Sequence, residues 1–235
     1  MTEPVKKLRT YDSSRRRAQA RETQRAVVEA ARNLFVDQGY GRTTIADVAR
    51  TAGVSVETVY GAFGNKATLL HRAWDLTIGG DDQEITYHER PEILAIRAEP
   101  DLARRLTMQA TLFTQTAHRV VPFLLAVQGA AASDPAAAEM LAEMGRQRLA
   151  GFTVMAREAA ATGQLAVSER DCRDFIWATT DGVLWHRLVT ERGWSDKQFQ
   201  EVLAQMWVNT LVDRTVAGTV ARRSATKRSS SRRAP

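Results

Sequence analysis

Hydroxyl groups and an ammonium group lie close together in residues 58–66 of this chain of 235 residues. Thr58 and Tyr60 carry hydroxyls two positions apart, and Lys66 follows a glycine and an asparagine. Hydroxyl and ammonium groups bind phosphate oxygens and the polar edges of bases without a cofactor. Such contacts need a rigid, exposed scaffold, so the elements around these residues decide whether this chemistry is possible.

Two short helices joined by a glycine turn are predicted around this stretch. Thr44 and Asp47 have the spacing of a capping box, with an aspartate in place of the usual glutamate. Gly53 suits the left-handed backbone that ends a helix, and Ser55 suits the cap of the helix that follows. The pattern is typical of a helix-turn-helix, which reads the major groove of DNA, although a plain helical hairpin has the same spacing.

Basic residues are concentrated at the two ends of the chain. Residues 1–25 hold eight Lys and Arg and three acids, a net charge of +5, whereas residues 214–235 hold seven and no acid. The whole chain has a net charge of +6, so residues 26–213 carry −6. Basic ends of this kind suit contact with phosphates or with the minor groove. The predicted contacts of the N-terminal segment are Arg15, Arg16 and Arg17.

A run of motifs over residues 22–75 extends this pattern. A first helix is predicted over Arg25–Gln38, and it ends at Gly39-Tyr40. The motifs that follow are Thr43-Thr44-Ile45-Ala46-Asp47-Val48-Ala49, Gly53-Val54-Ser55, Thr58-Val59-Tyr60, Phe63 and Asn65-Lys66-Ala67-Thr68-Leu69-Leu70. Together they resemble the TetR (tetracycline-repressor-like) family of transcriptional regulators. The resemblance implies an all-α fold, with an N-terminal three-helix helix-turn-helix DNA-binding domain and a C-terminal helical domain for ligand binding and dimerisation.

The resemblance also implies DNA contacts at particular residues. Thr43 and Thr44, at the start of the second helix, would hold phosphate. Thr58 and Tyr60 would contact phosphates, base edges or thymine methyl groups. Lys66 would bind a phosphate at the N-terminus of the fourth helix, where the helix dipole already favours an anion.

Val56 and Glu57 occupy the positions at which the family varies to select a sequence. Val56 offers only apolar contact. Glu57 is unusual, because phosphates repel an acid, but a carboxylate can accept a hydrogen bond from the amino group of cytosine. The alternative is that Glu57 only stabilises the helix N-terminus. Gly61 and Ala62 are small and offer few contacts to bases. DNA binding is therefore expected to depend on DNA shape and on the basic N-terminal arm.

Four segments are predicted along the chain. Residues 1–21 form a basic disordered arm, residues 22–67 the helix-turn-helix domain, and residues 68–217 the helical effector-binding and dimerisation domain. Residues 218–235 form a basic disordered tail, which either adds non-specific DNA affinity or has no role. After the third helix, the fourth is predicted over Lys66 to Ile78, followed by one helical turn at Pro91–Arg97. Another predicted helix has Pro122 in its first turn and ends near Ala131. The remaining predicted helices are Asp101–Ala117, Pro135–Thr162, Ser168–Arg192 and Ser195–Val216.

The last two predicted helices carry apolar faces wider than one partner helix would cover. In the family these helices pair with their copies in a four-helix bundle. A dimer places two reading helices about 34 Å apart, which multiplies the affinity for a palindromic operator. The alternative is that these faces pack within one chain. The predicted interface residues are Phe175, Val183, Phe199, Val202, Met206, Trp207 and Thr210.

The family places an effector cavity among the middle helices. Aromatic, methionine and amide side chains there would line an apolar pocket with a few polar anchors. Residues of these types at helical spacing also build ordinary cores, so both interpretations stay open. The candidate lining residues are Met108, Gln109, Leu112, Phe113, Phe123, Gln128, Phe152, Met155 and Trp177.

Several classes of protein lack support in this sequence. The four histidines have no metal-ligand spacing, and no phosphate loop or nucleophile motif is present, so we expect no enzyme, no metal and no cofactor. The single cysteine, Cys172, suits a reducing cytoplasm and is expected in the core, with a redox sensor as the alternative. No run of about 18 apolar residues occurs, and no apolar stretch follows the basic N-terminus, so neither a membrane span nor a secretory signal is expected.

The resemblance and the charge pattern together predict a sequence-specific transcriptional regulator, a repressor that a small-molecule effector releases from its operator. The expected partners are double-stranded DNA with a palindromic operator, a second copy of the chain and an unknown effector. The expected location is the cytoplasm, on the nucleoid when the protein is bound to DNA. The alternative is a sequence-blind protein that coats DNA through its two basic ends and binds all duplexes equally at a given salt concentration.

Overall fold

The computed structural model describes residues 13–79, 89–213 and 215, and almost all regular structure in these ranges is helical. The predicted all-α fold class is therefore confirmed. The helices are α1 (Ser13–Gln38), α2 (Ile45–Ala52), α3 (Val56–Phe63), α4 (Lys66–Gly79), α5 (Pro91–Ala98), α6 (Leu102–Ala131), α7 (Pro135–Ala160), α8 (Glu169–Thr179), α9 (Val183–Trp185), which continues into a π-helical segment (His186–Glu191), and α10 (Asp196–Leu211).

Local hydrogen bonds form the helix-turn-helix as its sequence predicts. The Thr44 hydroxyl accepts from the Asp47 N–H at 3.1 Å, and the Asp47 carboxylate accepts from the Thr44 N–H at 3.0 Å. Gly53 ends α2 in the left-handed region at φ 67°, a conformation that costs glycine little. The Ser55 hydroxyl accepts from the Thr58 N–H at 3.2 Å and caps α3. The capping box, the turn and the second cap are confirmed.

A first core cluster joins α1–α4 to the second half of α6 and the first half of α7. Phe35, Trp74 and Phe123 are at its centre, with the Phe123 ring 6.5 Å from Phe35 and 6.0 Å from Trp74. The helix-turn-helix therefore shares one core with the longer helices instead of folding around a core of its own.

A second core cluster fills the space between the first half of α6, the end of α7, α8 and α10. Phe199 and Trp207 of α10 are buried in it, with Leu106 and Ile176 packed in the same cluster. The Trp207 indole N–H donates to the Thr179 hydroxyl at 2.8 Å, which satisfies the only polar atom of that ring.

The first helix begins earlier than its sequence pattern predicts. It starts at Ser13 instead of Arg25, so residues 13–21 are helical, which corrects the predicted disorder of this part of the arm. The stretch contains no glycine or proline and consists mostly of Arg and Ala, which favour helix. The remainder of the arm, residues 1–12, and the predicted tail, residues 218–235, lie outside the described residues.

One continuous helix, α6, replaces the two helices predicted on either side of Pro122. A proline in a helix interior removes one backbone hydrogen bond and usually kinks or ends the helix. The helix continues here because both halves are anchored, the first by the second core cluster and the second by Phe123, Leu124 and Val127 in the first core cluster.

The helix predicted over Ser168–Arg192 is interrupted. α8 ends at Thr179, and Gly182 takes the left-handed conformation at φ 92° before the short α9. A side chain at Gly182 would place its Cβ 3.2 Å from both methyl groups of Val121 on α6, so the break also allows a close approach. α10 likewise ends at Leu211 instead of continuing to Val216, because Val212 bridges to Leu165.

Candidate nucleic-acid interface

The exposed face of α3 presents the hydroxyls that the sequence predicts for DNA contact. Val59 and Phe63 point into the first core cluster, and this orientation leaves Thr58 and Tyr60 at the surface. Tyr60 is 52% exposed, which is unusual for a large aromatic side chain and typical of an interaction residue. Caps at both ends fix the short helix, so these hydroxyls are held in a defined geometry.

Thr43 does not reach the surface, and its predicted phosphate contact is corrected. Its side chain is buried, and its hydroxyl donates to the Gly39 carbonyl at 2.9 Å and accepts from the Gln38 amide at 3.3 Å. Thr43 therefore fixes the connection between α1 and α2. Thr44 is exposed, but its hydroxyl already takes part in the capping box with Asp47.

Val56 and Glu57, the two other candidate residues of α3, differ in their exposure to solvent. Val56 is half-buried against the first core cluster, so only part of its side chain is available for apolar contact. Glu57 is exposed, and hydrogen bonds from its own backbone N–H and from Ser55 hold the pKa of its carboxyl below the usual value. These bonds are the ones expected of a residue that stabilises a helix N-terminus.

Lys66 stands at the first position of α4, as the phosphate-binding role requires. Its ammonium lies 4.0 Å from the centre of the Tyr40 ring, within the range of a cation–π contact. Burial lowers the pKa of Lys66, and the opposing charge of Asp134 partly offsets this. Burial, with a smaller effect of Asp134, raises the pKa of Tyr40 to about 12. Tyr40 therefore stays protonated at neutral pH, and its neutral ring lies against the lysine.

Arg15, Arg16 and Arg17 lie exposed on the first turns of α1. A cleft of about 400 Å³ separates these turns from α3. Arg16 and Thr58 line the same cleft, so the basic helix runs beside the reading face. The remaining lining residues are Gln19, Ala20, Thr23, Gln24, Val27, Ala62 and Phe63.

The predicted effector-pocket residues fall into different clusters. Phe123 is fully buried in the first core cluster, so its assignment to a ligand pocket is corrected to core. Met108 and Leu112 pack with Ile93 and Ile96 of α5 in a third, small cluster.

The other pocket candidates lie nearer the second core cluster or at the surface. Phe113, Phe152 and Met155 are half-buried against that cluster. Trp177 is exposed, and the Arg148 guanidinium stands 5.7 Å from the centre of its ring. The two amides, both half-buried, are those of Gln109 and Gln128.

The predicted dimer residues divide into two groups. Phe199 and Trp207 are buried within the single chain, which corrects their assignment to an interface. Val183, Val202 and Thr210 are exposed and could meet a partner. The remaining two, both half-buried against the second core cluster, are Phe175 and Met206.

Cys172 is buried, and burial together with Glu169 raises the pKa of its thiol to about 11. Such a thiol is protonated at neutral pH and reacts slowly, which favours a core role over redox sensing. Within the described ranges no three His, Cys, Asp or Glu residues are grouped so as to hold a metal ion. None of the described helices is long and apolar enough to cross a membrane.

The capped helices α2 and α3, with exposed hydroxyls on α3, form a helix-turn-helix attached to an all-helical body. Residues 27–73 match the family model of bacterial regulatory proteins, tetR family. The similarity to the TetR family is therefore shown for residues 27–73, the segment that contains the helix-turn-helix.

Similar proteins carry the same domain. Over 61 residues, the chain is 41% identical to the HTH-type transcriptional regulator TtgR of Pseudomonas putida, a match that covers 26% of this chain and 29% of TtgR. The chain thus aligns with less than a third of the curated relatives that it matches.

Similarity of fold extends over most of the chain. The crystal structure of NalD, the secondary repressor of the MexAB-OprM multidrug efflux pump in Pseudomonas aeruginosa, aligns with a TM-score of 0.63 at 20% identity, covering 84% of this chain and 99% of NalD. The SmeT–triclosan complex aligns with a TM-score of 0.59 at 20% identity, covering 82% of this chain and 93% of SmeT. At such identities the likeness concerns the fold.

Proposed function

We propose that this protein is a sequence-specific DNA-binding transcriptional regulator, a homodimer that represses its target and leaves a palindromic operator when a small-molecule effector binds. The observation that carries the proposal is the rigid, doubly capped α3, which presents Thr58 and Tyr60 to solvent beside the basic first turns of α1. A surface of this kind can enter a major groove while arginines hold the flanking phosphates.

Selection of bound duplexes from a random library tests this function directly. A sequence-specific dimer enriches an inverted repeat, with half-sites separated by about one helical turn. The sequence-blind coating protein predicts equal affinity for all duplexes at one salt concentration, and therefore no enriched motif. Enrichment of a single, unrepeated half-site would contradict the dimer and leave the reading helix supported.

Glu57→Ala distinguishes the two roles considered for this acid. Because its carboxylate is hydrogen-bonded to its own backbone and to Ser55, we expect the variant to keep the base preference of the wild type. We expect affinity for the operator to rise severalfold, since the variant no longer places a negative charge near phosphates. Library selection with both proteins measures this, and loss of a C·G preference in the variant would instead make Glu57 a base reader.

Dimerisation is supported by the surface of the last helices. Val183 of α9, Val202 of α10 and Trp177 of α8 are exposed large apolar side chains, with Val202 45% exposed. Exposed apolar groups on neighbouring elements are typical of an interaction site. In a two-fold dimer the interface would bury these side chains of both copies.

Val202→Lys is expected to weaken the homodimer by about 30-fold, equivalent to about 2 kcal/mol, because two ammonium groups would be placed at one interface. Stability of the single chain should change little, since the side chain is exposed. Sedimentation over a concentration series measures the effect. The nearly isosteric Val202→Thr is the control and should stay dimeric. An unchanged dimer in the lysine variant would place the interface elsewhere.

The effector site is proposed within the helical body. The Trp185 indole N–H is buried and has no hydrogen-bond partner among the described residues. A buried donor without an acceptor is costly, and an acceptor atom on a bound molecule would satisfy it. The π-helical segment that follows Trp185 is a geometry often found at functional sites. Triclosan, an aromatic molecule, is bound in the structure of SmeT, which has the same fold, and this supports a hydrophobic effector class.

A further inference from the structure

The end of α4 is held by two arginines from different helices. Arg119 of α6 donates from Nε to the Thr77 carbonyl at 2.9 Å and from a terminal nitrogen to the Ile78 carbonyl at 3.2 Å. Arg32 of α1 donates from Nε to the Thr77 hydroxyl at 3.2 Å and from a terminal nitrogen to the Arg119 carbonyl at 3.5 Å. We call Arg32, Thr77 and Arg119 the polar junction.

The chemistry of the polar junction suits the end of a helix. The last carbonyls of a helix lack partners within it and carry a partial negative charge. A guanidinium is planar and permanently charged, so Arg119 can bind two of these carbonyls at once. The Thr77 hydroxyl is fully buried and also donates to the Ala73 carbonyl at 2.7 Å, so water does not compete for it.

The hydrogen bonds of the polar junction fix the orientation of α4 relative to α6, which apolar contacts alone do not. The first core cluster also joins α4 to α6 through Trp74 and Phe123, but apolar burial has no preferred direction. The bonds of the polar junction weaken when donor and acceptor lose alignment, so they resist rotation of α4 against α6.

The length of α4 converts a small rotation into a large displacement. The helix has 14 residues and therefore spans about 21 Å from Lys66 to Gly79. Thr77 lies about 17 Å along the helix from Lys66, so a rotation of about 10° at the polar junction would move Lys66 by about 3 Å. This is close to the rise of about 3.4 Å per base pair, the step by which half-site spacing changes.

We propose that Arg32, Thr77 and Arg119 are positioning residues for operator binding, which fix the angle of α4 and thereby the distance between the two reading heads of a dimer. All three lie outside the reading face of α3, and they act through α4 and Lys66. The proposal rests on the proposed function, because spacing has meaning only for a dimer that reads two half-sites.

A pair of Thr77 variants tests the polar junction. Thr77→Val keeps the shape of the side chain and removes the acceptor for Arg32, whereas Thr77→Ser keeps the hydroxyl. Affinities are measured for a series of synthetic operators in which the spacer between half-sites changes by one base pair at a time. We expect a preference of tenfold or more for one spacer in the wild type and in Thr77→Ser, and of threefold or less in Thr77→Val.

The outcomes distinguish a positioning role of the polar junction from a general loss of protein stability. A structural role alone would lower the amount of folded protein without changing the relative affinities for different spacers. If Thr77→Val does not fold, Arg32→Gln is measured in the same way. An unchanged spacer preference in the folded variant overturns the proposal alone. A wild type that shows no inverted repeat overturns the proposed function, and this proposal with it.

Discussion

Tyr60→Ala is expected to lower the affinity for the specific operator by at least about 30-fold and to leave the fold intact. A contact to a base edge is worth about 1–3 kcal/mol, and a homodimer loses it twice, which gives a total of about 2–6 kcal/mol. Tyr60 is 52% exposed on a helix held by caps at both ends, so the change removes little packing. The expected loss is therefore one of recognition.

Binding to specific and to unrelated duplexes at one salt concentration measures this loss. Affinity for unrelated duplexes should stay within about twofold, because it depends on Lys and Arg contacts with phosphates. Tyr60→Phe is the matched control, since it keeps the ring and removes only the hydroxyl. An equal loss on both kinds of duplex would show that Tyr60 contacts phosphate alone.

The parts of the interface that sequence could predict are those formed by local interactions. The cap at Thr44 uses a residue three positions away, and Ser55 caps α3 across the same separation. Gly53 needs only its own backbone freedom. Bonds of this range depend on neighbouring residues, and the spacing of residue types reveals them.

The parts that sequence could not predict depend on distant residues. The break at Gly182 allows a close approach to Val121 of α6, while the apolar periodicity of that segment continues through it. Arg32 and Thr77 are 45 positions apart in the polar junction, and the bond from Arg32 to the Arg119 carbonyl spans 87 positions. Such pairs become visible only when the packing of the helices is known.

The hydrophobic core is continuous across the predicted domain boundary between residues 67 and 68. The first core cluster crosses it, since Phe35 of α1 and Trp74 of α4 both contact Phe123 of α6. Asp134, at the start of α7, acts on the charge of Lys66 at the reading head. A change in the helical body therefore has direct contacts through which it can reach the predicted DNA-binding residues.

The burial of Trp207 shows why the width of an apolar face does not identify an interface. The face of α10 is wide enough for two neighbours, and sequence alone does not say whether they come from the same chain or from a partner. In the structure α6 and α8 cover Trp207 and Phe199, and Val202 is left exposed. The same helix thus contributes to the core on one side and offers a surface on the other.

Trp207→Ala is therefore expected to destabilise the single chain by about 3–5 kcal/mol, the usual cost of removing a large buried aromatic side chain. The variant also leaves the Thr179 hydroxyl without the indole donor that lies 2.8 Å away. Urea unfolding at several protein concentrations measures the effect, because stability lost from an interface depends on concentration and stability lost from a core does not. Gln205→Ala, at an exposed position of the same helix that is not one of the predicted interface residues, is the control and should change stability by less than about 0.5 kcal/mol. Weaker dimerisation of the Trp207 variant with unchanged stability of the monomer would contradict the buried position and return Trp207 to the interface.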